Sequence, residues 1–430
     1  MVEIIDEAPW LTIIGLGEDG WQGLSSASRA ALHGAELVMG SSRHLALLPD
    51  LSCSSNRLDS TDSFNLPGIS NQPGLRVERL DWPVPFADGI PLLLAQRGRR
   101  VALLASGDPF WFGAGSAVTR HLEAHEWTAL PGVSTFSLAA SLLGWALEHV
   151  TCLGLHAAPL TRLRPHLCRG TRMVVLLRDG AAVAELARYL VDTGFGASVM
   201  SVLEALGGPR ERRRDVIASA CDLTDVRHPV AVAFEVAGTG MALPRSAGLP
   251  DSLFENDGQI TKQKVRALAL CALAPRPGER LWDIGAGSGS IAIEWLLAHP
   301  RCEAVAVEAD PGRAVRLRGN ADRLGVDRLV LVTGRAPEAL AALTGQALPD
   351  AVFIGGGLSD ALLTQLWRIL PAGCRVVAHA VTLESEALLG DWHARAGGSL
   401  LRIELAEAAP LGTRRAWRAS YPIVQWSATR

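Results

Sequence analysis

A glycine-rich loop in the second half of the chain is the clearest feature that could bind a small molecule. The segment Trp282–Gly289 reads Trp-Asp-Ile-Gly-Ala-Gly-Ser-Gly, and a buried strand is predicted to end at Asp283. Glycine allows a sharp turn and lets a ligand approach main-chain atoms without a Cβ in the way. A helix is predicted over 290–298, so the loop follows the carboxyl end of a strand, where open α/β sheets bind ligands.

The spacing of these glycines distinguishes between cofactors. A dinucleotide site carries Gly-x-Gly-x-x-Gly to cradle a pyrophosphate, whereas this loop closes one residue earlier. S-adenosylmethionine (SAM) has no phosphate and needs only a tight loop around its amino-acid end. Glu308 ends the next predicted strand, where a carboxylate can accept hydrogen bonds from both ribose hydroxyls. The pattern therefore favours SAM over NAD.

Two further segments stand where later strands are predicted to end, Gly334–Pro337 and Phe353–Gly357. Together with the first loop and Glu308 they resemble the class I SAM-dependent methyltransferases, in which residues after the third strand wrap the adenine. An acid is common in that family where Arg335 stands here. The resemblance implies SAM contacts at Gly285, Ala286, Gly287, Ser288, Gly289, Glu308, Ala336 and Gly355.

The segment Asp257–Arg266 (Asp-Gly-Gln-Ile-Thr-Lys-Gln-Lys-Val-Arg) precedes the first strand of this half. It resembles the first helix of the cobalamin-pathway methyltransferases that also decarboxylate, where the threonine lies near SAM. The resemblance implies a SAM contact at Thr261. The only two lysines of the chain, Lys262 and Lys264, also fall here, and a solvated helix is the alternative interpretation of them.

The first half lacks Gly-x-Gly-x-Gly, but three of its segments, 14–20, 105–113 and 130–135, resemble the tetrapyrrole (class III) methylases over about residues 10–240. In that family the cofactor lies between two α/β halves, held largely by main-chain groups. The first motif has Glu18-Asp19 where the usual Gly-x-Gly-Pro-Gly has proline. Ser134 is also a candidate helix cap. The resemblance implies SAM contacts at Gly15, Gly17, Gly107, Asp108, Pro109, Gly113, Gly132, Ser134 and Thr135.

Two unlike SAM folds on one chain resemble the bifunctional, decarboxylating precorrin C(5,15)-methyltransferases of cobalamin biosynthesis. The resemblance implies methylation at carbons 5 and 15 of a precorrin and decarboxylation of the acetate on carbon 12. The first domain would methylate carbon 5, and the second would perform the other two steps. It also implies a polycarboxylate tetrapyrrole substrate, two SAM sites, no metal, and assembly into a homo-oligomer.

Such chemistry needs few acid–base groups, because SAM carries an activated methyl group and the conjugated substrate can act as an electron sink. Positioning the reacting atoms can supply up to about 7–11 kcal/mol. Candidate catalytic residues follow predicted strands: His379 and Thr382, with Ser359 after the glycine run. For His379 the alternative is a purely structural, buried or capping role.

The elements that must position these residues alternate between strand and helix, which predicts an α/β fold. The second half is predicted to be a Rossmann-like, mostly parallel sheet with a C-terminal antiparallel hairpin of Leu400–Leu405 and Trp417–Trp426. The first half is predicted as two α/β halves, with residues 49–75 as a mobile loop or insertion. Residues rich in Pro, Gly and Ser indicate a boundary, giving domains 1–240 and 257–430 with a linker at 241–256.

Composition bounds the remaining possibilities. The 430 residues, 48% hydrophobic and 20% charged, favour two globular domains over a disordered chain. Seven scattered cysteines without a CxxC pair predict neither a zinc site nor a disulfide framework. With an acidic start and no apolar run of about 18 residues, the chain is predicted to be cytoplasmic, without a membrane partner. Two arginine clusters are predicted to lie on the solvated surface: Arg162, Arg164, Arg169 and Arg172, and Arg210, Arg212, Arg213 and Arg214.

Two alternatives stay open from the sequence alone, and a third is excluded. A methyltransferase of RNA or another macromolecule is disfavoured by the formal net charge of −3, so no nucleic-acid partner is predicted. A SAM-binding module with one non-catalytic half would bind cofactor without two methyl transfers. A nicotinamide dehydrogenase fails on the glycine spacing.

Overall fold

In the computed structural model, the structure describes residues 8–50, 77–343 and 347–430. Nearly all of the predicted insertion at 49–75 therefore lies outside the described residues. The chain divides into two compact units. Unit 1 is Met1–Ala158 with Cys168–Met241, and unit 2 is Pro159–Leu167 with Ala242–Arg430.

The described residues of unit 1 form two five-stranded sheets. The first is parallel, in the order β3-β2-β4-β1-β5; its three inner strands are near-continuous buried runs, as in a sheet covered on both faces, whereas the edge strand β3 is mostly exposed. Its strands are β1 (Leu11–Leu16), β2 (Leu37–Gly40), β3 (Glu78–Asp81), β4 (Val101–Ser106) and β5 (Trp127–Leu130). The second has the order β6-β7-β10-β8-β9, and only β6 and β7 pair in parallel. Its strands are β6 (Val150–Gly154), β7 (Arg172–Leu177), β8 (Val199–Glu204), β9 (Arg212–Ile217) and β10 (Val230–Glu235).

The α-helices of unit 1 are short. They are α1 (Ser26–Gly34), α2 (Ser42–Ala46), α3 (Gly89–Leu94), α4 (Ala114–Val118), α5 (Thr135–Leu143) and α6 (Ala181–Asp192). α5 begins where the sequence indicates, because the Ser134 hydroxyl accepts the N–H of Ser137 at 3.0 Å. α6 buries Val183, Leu186 and Leu190 on one face, the spacing of an amphipathic helix.

Unit 2 is built on one seven-stranded sheet in the order β13-β12-β11-β14-β15-β19-β16. The first five strands are parallel, and β19 lies antiparallel between β15 and β16. Its strands are β11 (Arg280–Ile284), β12 (Glu303–Glu308), β13 (Val330–Thr333), β14 (Ala351–Ile354), β15 (Arg375–Ala380), β16 (Ser399–Ile403) and β19 (Ile423–Thr429). The strand order reverses between β11 and β14, the switch point where such sheets bind ligands.

Helices cover both faces of this sheet, and an apolar cluster lies on each side of it. They are α7 (Gln263–Leu273), α8 (Ser290–Ala298), α9 (Pro311–Arg323), α10 (Asp360–Ile369) and α11 (Leu383–Ala396). A separate two-stranded hairpin pairs β17 (Ala406–Leu411) with β18 (Arg414–Ala419).

The α/β class and the mostly parallel sheet of the second domain are confirmed, but the C-terminal hairpin needs correction. The segment predicted as Trp417–Trp426 is two strands, because it breaks between Ala419 and Ile423. Leu400–Leu405 corresponds to β16, which pairs with β19 inside the main sheet. The loop expected between them contains β17 and the first residues of β18.

The solvated-surface interpretation of the arginine clusters is wrong for Arg164 and incomplete for Arg212 and Arg214, which are partly exposed but bind a buried carboxylate. Arg212 and Arg214 both donate to the carboxylate of Glu204, which is only 2% exposed. Arg164 is buried. On β9, side chains alternate between the two faces, so every second arginine reaches the buried carboxylate.

Candidate functional site

The glycine loop of unit 2 connects β11 to α8, and its three glycines have positive φ angles of +68°, +57° and +76° at Gly285, Gly287 and Gly289. A Cβ on Gly285 would come within 2.6 Å of the Gly356 backbone, and one on Gly289 within 2.6 Å of Leu317. A Cβ on Gly287 would meet nothing closer than 3.8 Å. Two of the glycines therefore serve close packing, while Gly287 borders open space.

Glu308 at the end of β12 is buried and oriented by this loop. Its Oε2 accepts the Gly287 N–H at 2.7 Å, and its Oε1 accepts the Asp310 N–H at 2.9 Å. A carboxylate has about four acceptor sites, so each oxygen retains capacity for a ligand hydroxyl. The two bonds set the orientation of the carboxylate in advance.

Asp283, immediately before the loop, is fully buried. Its Oδ2 accepts the Ala292 N–H at 3.1 Å, while Oδ1 has no hydrogen-bond partner among the described residues. Burial, reinforced by the charge of Glu308 and opposed by that hydrogen bond, raises the pKa of Asp283 to about 7. Asp283 is thus held largely protonated below neutral pH.

Thr261 is positioned by an arginine that sequence reasoning missed. The fully buried Arg266 guanidinium donates to the Thr261 carbonyl and to the Leu249 carbonyl, and it pairs with buried Glu294. Its guanidinium also lies over the Phe254 ring at 4.8 Å. The signal was present in the sequence, because position 266 shares one face of α7 with apolar residues three and four positions later.

Asn320 on α9, also missed, connects the loop to the segment before α7. Its side-chain amide donates to the carbonyls of Ser288 and Glu255 at 2.9 Å, and it is fully buried. Arg313 donates to Asp257 and Gln259 in the same segment. These bonds hold residues 255–261 against the glycine loop.

The other predicted residues of unit 2 lie at the same carboxyl edge of the sheet. Gly355 N–H donates to the Ile284 carbonyl at 2.9 Å, which joins the ends of β14 and β11. Ala336, after β13, is half-buried against the apolar cluster on one face of the sheet. Ser359 and Thr382 are helix caps, whose hydroxyls accept the N–H groups of Leu362 and Ser385.

His379 on β15 is held by two neighbours. Its Nε2 donates to Gln425 Oε1 at 2.9 Å, and its ring meets Phe353 edge-on at 5.0 Å between centroids. Burial lowers the pKa of His379, opposed by the Gln425 hydrogen bond. The imidazole is therefore neutral at neutral pH.

In unit 1 the three predicted motifs converge at the carboxyl ends of β1, β4 and β5. Gly107 N–H donates to the Leu16 carbonyl, and Gly132 N–H donates to the Gly107 carbonyl, both at 3.0 Å. A Cβ on Gly15 would collide with the backbones of Gly107 and Gly132. Gly15 and Gly132 thus serve the close approach of three loops.

These loops border a cavity of about 470 Å³ within unit 1. Asp108 turns the chain by accepting the Phe110 N–H at 2.8 Å, and Gly113 packs on the Asp108 and Pro109 carbonyls. Six of the nine residues predicted to bind cofactor in this half line the cavity; Gly15, Pro109 and Gly132 do not. The six are Gly17, Gly107, Asp108, Gly113, Ser134 and Thr135.

A polar cluster that sequence reasoning missed lies at this cavity. Arg43 donates through Nη1 to buried Glu18 and through Nη2 to His44 Nε2 (2.8 Å) and Ser106 Oγ (2.7 Å). Arg210 Nη2 reaches the other Glu18 oxygen at 3.0 Å. Burial, followed by the charge of Arg43, lowers the pKa of His44 to about 3. In the sequence, this cluster was indicated only by the acidic pair that includes Glu18, which stands where the first motif usually has proline.

Two absences concern the described ranges only. Within 8–50, 77–343 and 347–430, no group of three His, Cys, Asp or Glu side chains could hold a metal ion. In the same ranges, no helix is long and apolar enough to cross a membrane.

Comparison with known families matches both units. The model of the tetrapyrrole (corrin/porphyrin) methylases matches residues 11–220, and that of a precorrin methyltransferase domain matches residues 252–430. The chain is therefore a methyltransferase that joins two tetrapyrrole-modifying domains.

Curated relatives match over almost the whole length. The chain is 46% identical over 427 residues to a precorrin-6Y C(5,15)-methyltransferase (decarboxylating) of Sinorhizobium sp, covering 98% of this chain and 97% of that protein. It is 40% identical to the protein of that name from Mycobacterium tuberculosis, covering 98% and 100%. The chain belongs to the precorrin-6Y C(5,15)-methyltransferase (decarboxylating) family. The solved C-terminal domain of the Rhodobacter capsulatus member is 52% identical, covering 44% of this chain and 100% of that one, with a TM-score of 0.42.

Proposed function

We propose that this chain methylates carbons 5 and 15 of a precorrin and decarboxylates its carbon-12 acetate, with one SAM site in each unit. The observation that carries the proposal is that each unit gathers its own glycine loops at the carboxyl edge of a parallel sheet. Unit 1 is assigned carbon 5, and unit 2 carbon 15 and the decarboxylation. We also propose that the functional domains are residues 1–240 and 257–430, joined by a linker at 241–256.

The residues of unit 2 fit SAM on two counts. Open space at Gly287 leaves room beside the loop for the amino-acid end of the cofactor, and Glu308 retains acceptor capacity for ribose hydroxyls. SAM supplies an electrophilic methyl group on a sulfonium when bound. Thr261 and Ala336 complete the proposed contacts, and Arg266 holds the Thr261 carbonyl in place.

The side chains of unit 2 act mainly by positioning. A neutral His379, held by Gln425, can orient the substrate but carries no proton to donate as an imidazolium at neutral pH. The Thr382 hydroxyl accepts the Ser385 N–H and so caps α11. A contact between Thr382 and the substrate must therefore be compatible with that hydrogen bond. We propose that both residues contact the substrate during catalysis. An isosteric His379→Gln variant that releases carbon dioxide normally would remove His379 from the mechanism.

The test is mass spectrometry of a precorrin incubated with the whole chain and SAM. We expect a product that has gained two methyl groups and lost carbon dioxide, and two bound SAM equivalents per chain in equilibrium dialysis. Methyl-labelled SAM and fragmentation would assign each methyl group to carbon 5 or 15. An unchanged substrate mass would refute the proposal, and one binding equivalent would refute the second cofactor site.

We also propose that the chain assembles as a homo-oligomer through the β17–β18 hairpin. A lone two-stranded hairpin is marginally stable in water, yet this one exposes Leu411, Trp417 and the nearby Tyr421 by 66%, 77% and 89%. Light scattering after gel filtration should show a multimer for the wild type and a smaller species for Trp417→Ser. Val315→Ser, at an equally exposed apolar position on α9, should leave the mass unchanged.

A further inference from the structure

Three consecutive aromatic side chains follow the Asp108-Pro109 turn of unit 1 and remain exposed. Phe110, Trp111 and Phe112 are 42%, 38% and 44% exposed. Burial of large aromatic side chains is favourable, so an exposed aromatic group commonly marks a binding surface.

Phe112 is held in a conformation that its own side chain does not favour. Its φ angle is +57°, in the left-handed region that bulky residues rarely adopt. Its ring lies 5.9 Å from Phe136 between centroids, and a Cβ on Gly154 would come within 2.6 Å of it. Neighbours thus hold the ring in one orientation while nearly half of the residue faces solvent. Such local strain commonly occurs at functional sites.

Trp111 is held by the same neighbour, because its ring lies 4.8 Å from Phe136. Trp111 and Phe112 both line the 470 Å³ cavity that the glycine loops border, whereas Phe110 packs on Trp127 at 5.4 Å and does not line it. Two of three adjacent and equally exposed rings therefore belong to the cavity, and the third provides a matched control.

We propose that Trp111 and Phe112 form an aromatic platform that binds the conjugated face of the tetrapyrrole in unit 1 and sets its position for carbon methylation. The inference rests on the proposed function of unit 1. The main-chain groups of the three glycine loops suit a small cofactor. The two rigid, apolar rings suit a large conjugated substrate, because π-faces stack in offset or tilted arrangements.

The test compares Trp111→Ala, Phe112→Gly and Phe110→Ala in the whole chain. Glycine at position 112 removes the ring and tolerates the positive φ angle, so the loop is kept. We expect the first two variants to raise the KM for the precorrin in carbon-5 methylation at least tenfold, and Phe110→Ala to change it less than twofold. Trp111→Phe should restore most of the loss, because it returns a ring.

Measurements of SAM binding distinguish a platform for the substrate from a role of the two rings in holding the cofactor. Both variants should still bind two SAM equivalents with wild-type affinity, and decarboxylation of a substrate already methylated at carbon 5 should be unchanged. Loss of SAM affinity in unit 1 would overturn the inference, since the rings would then hold the cofactor. An unchanged KM would overturn it as well. Failure of the wild type to methylate carbon 5 would instead refute the proposed function.

Discussion

Replacing Gly287 by alanine should weaken SAM binding in unit 2 at least a hundred-fold while leaving the fold almost unchanged. The backbone at Gly287 has φ +57°, and a Cβ there would have 3.8 Å of clearance from its nearest neighbour. The cost to folding is then mainly that of a left-handed alanine, about 1–2 kcal/mol. Lower entropy of the unfolded chain offsets about 0.4–1 kcal/mol of this.

The effect on binding should be much larger than the effect on stability. The new methyl group would occupy the open side of the loop, where the amino-acid end of SAM is proposed to lie. Main-chain atoms of β11 and α8 leave the loop little freedom to retreat, because the Ile293 N–H donates to the Gly289 carbonyl at 2.9 Å. We expect at least a hundred-fold loss of affinity, or about 2.8 kcal/mol.

Two control variants separate these effects. Gly278→Ala, in the turn before β11, also has a positive φ angle (+89°) and no atom within 4 Å of its Cβ, but it lies outside the loop. Gly285→Ala would collide with Gly356 and should unfold the loop. Equilibrium dialysis should give two SAM equivalents for the wild type and Gly278→Ala, and one for Gly287→Ala. Thermal unfolding should shift by a few degrees in both open-space variants. Two equivalents at wild-type affinity for Gly287→Ala would refute the assignment of this loop.

Three further predictions concern the buried side chains of Asp283, His44 and Arg266. Asp283, with its pKa raised to about 7, should make unit 2 less stable as the pH rises from about 4 to 7, because the carboxyl group ionises first in the unfolded state. Hydrogen exchange in β11 should show this decrease in stability with pH, and Asp283→Asn should reduce the decrease. His44, with its pKa lowered to about 3, has the opposite effect, because the unfolded imidazole binds a proton first as the pH falls. The free energy of unfolding of unit 1 should decrease by about 2 kcal/mol between pH 7.5 and 5. The same decrease in His44→Gln would contradict this prediction. Arg266→Met should destabilise unit 2 by about 3–5 kcal/mol in denaturant unfolding by leaving Glu294 buried and unpaired, and adding Glu294→Gln should recover part of that loss.

Much of unit 2 could be predicted because its strands are short apolar runs with clear ends. α8 covers the predicted residues 290–298, β12 ends at Glu308 as predicted, and β11 ends at Ile284, one residue after the predicted end at Asp283. In each case a glycine, a proline or a charged residue interrupts the apolar pattern, and adjacent parallel strands share one sheet. The local pattern and the tertiary fold therefore favour the same structure.

The elements that were missed depend on partners distant in the chain. β9 reads as a run of arginines, and only the alternation of side chains across the sheet brings Arg212 and Arg214 to Glu204 on β8. Likewise, Glu18 meets Arg210, 192 positions away. Local sequence shows the charge of these residues but not their burial, because burial depends on which strands become neighbours.

The glycine motifs of the two units illustrate what spacing alone leaves undecided. Glycine is required at Gly15 and Gly285 because other backbones occupy the place of a side chain, and alanine there would damage the fold. At Gly287 the same place is open, so alanine would chiefly exclude a ligand. The sequence presents these positions as equivalent parts of a cofactor motif. The space around each Cβ separates the glycines that the fold requires from Gly287, which we propose is required by the cofactor.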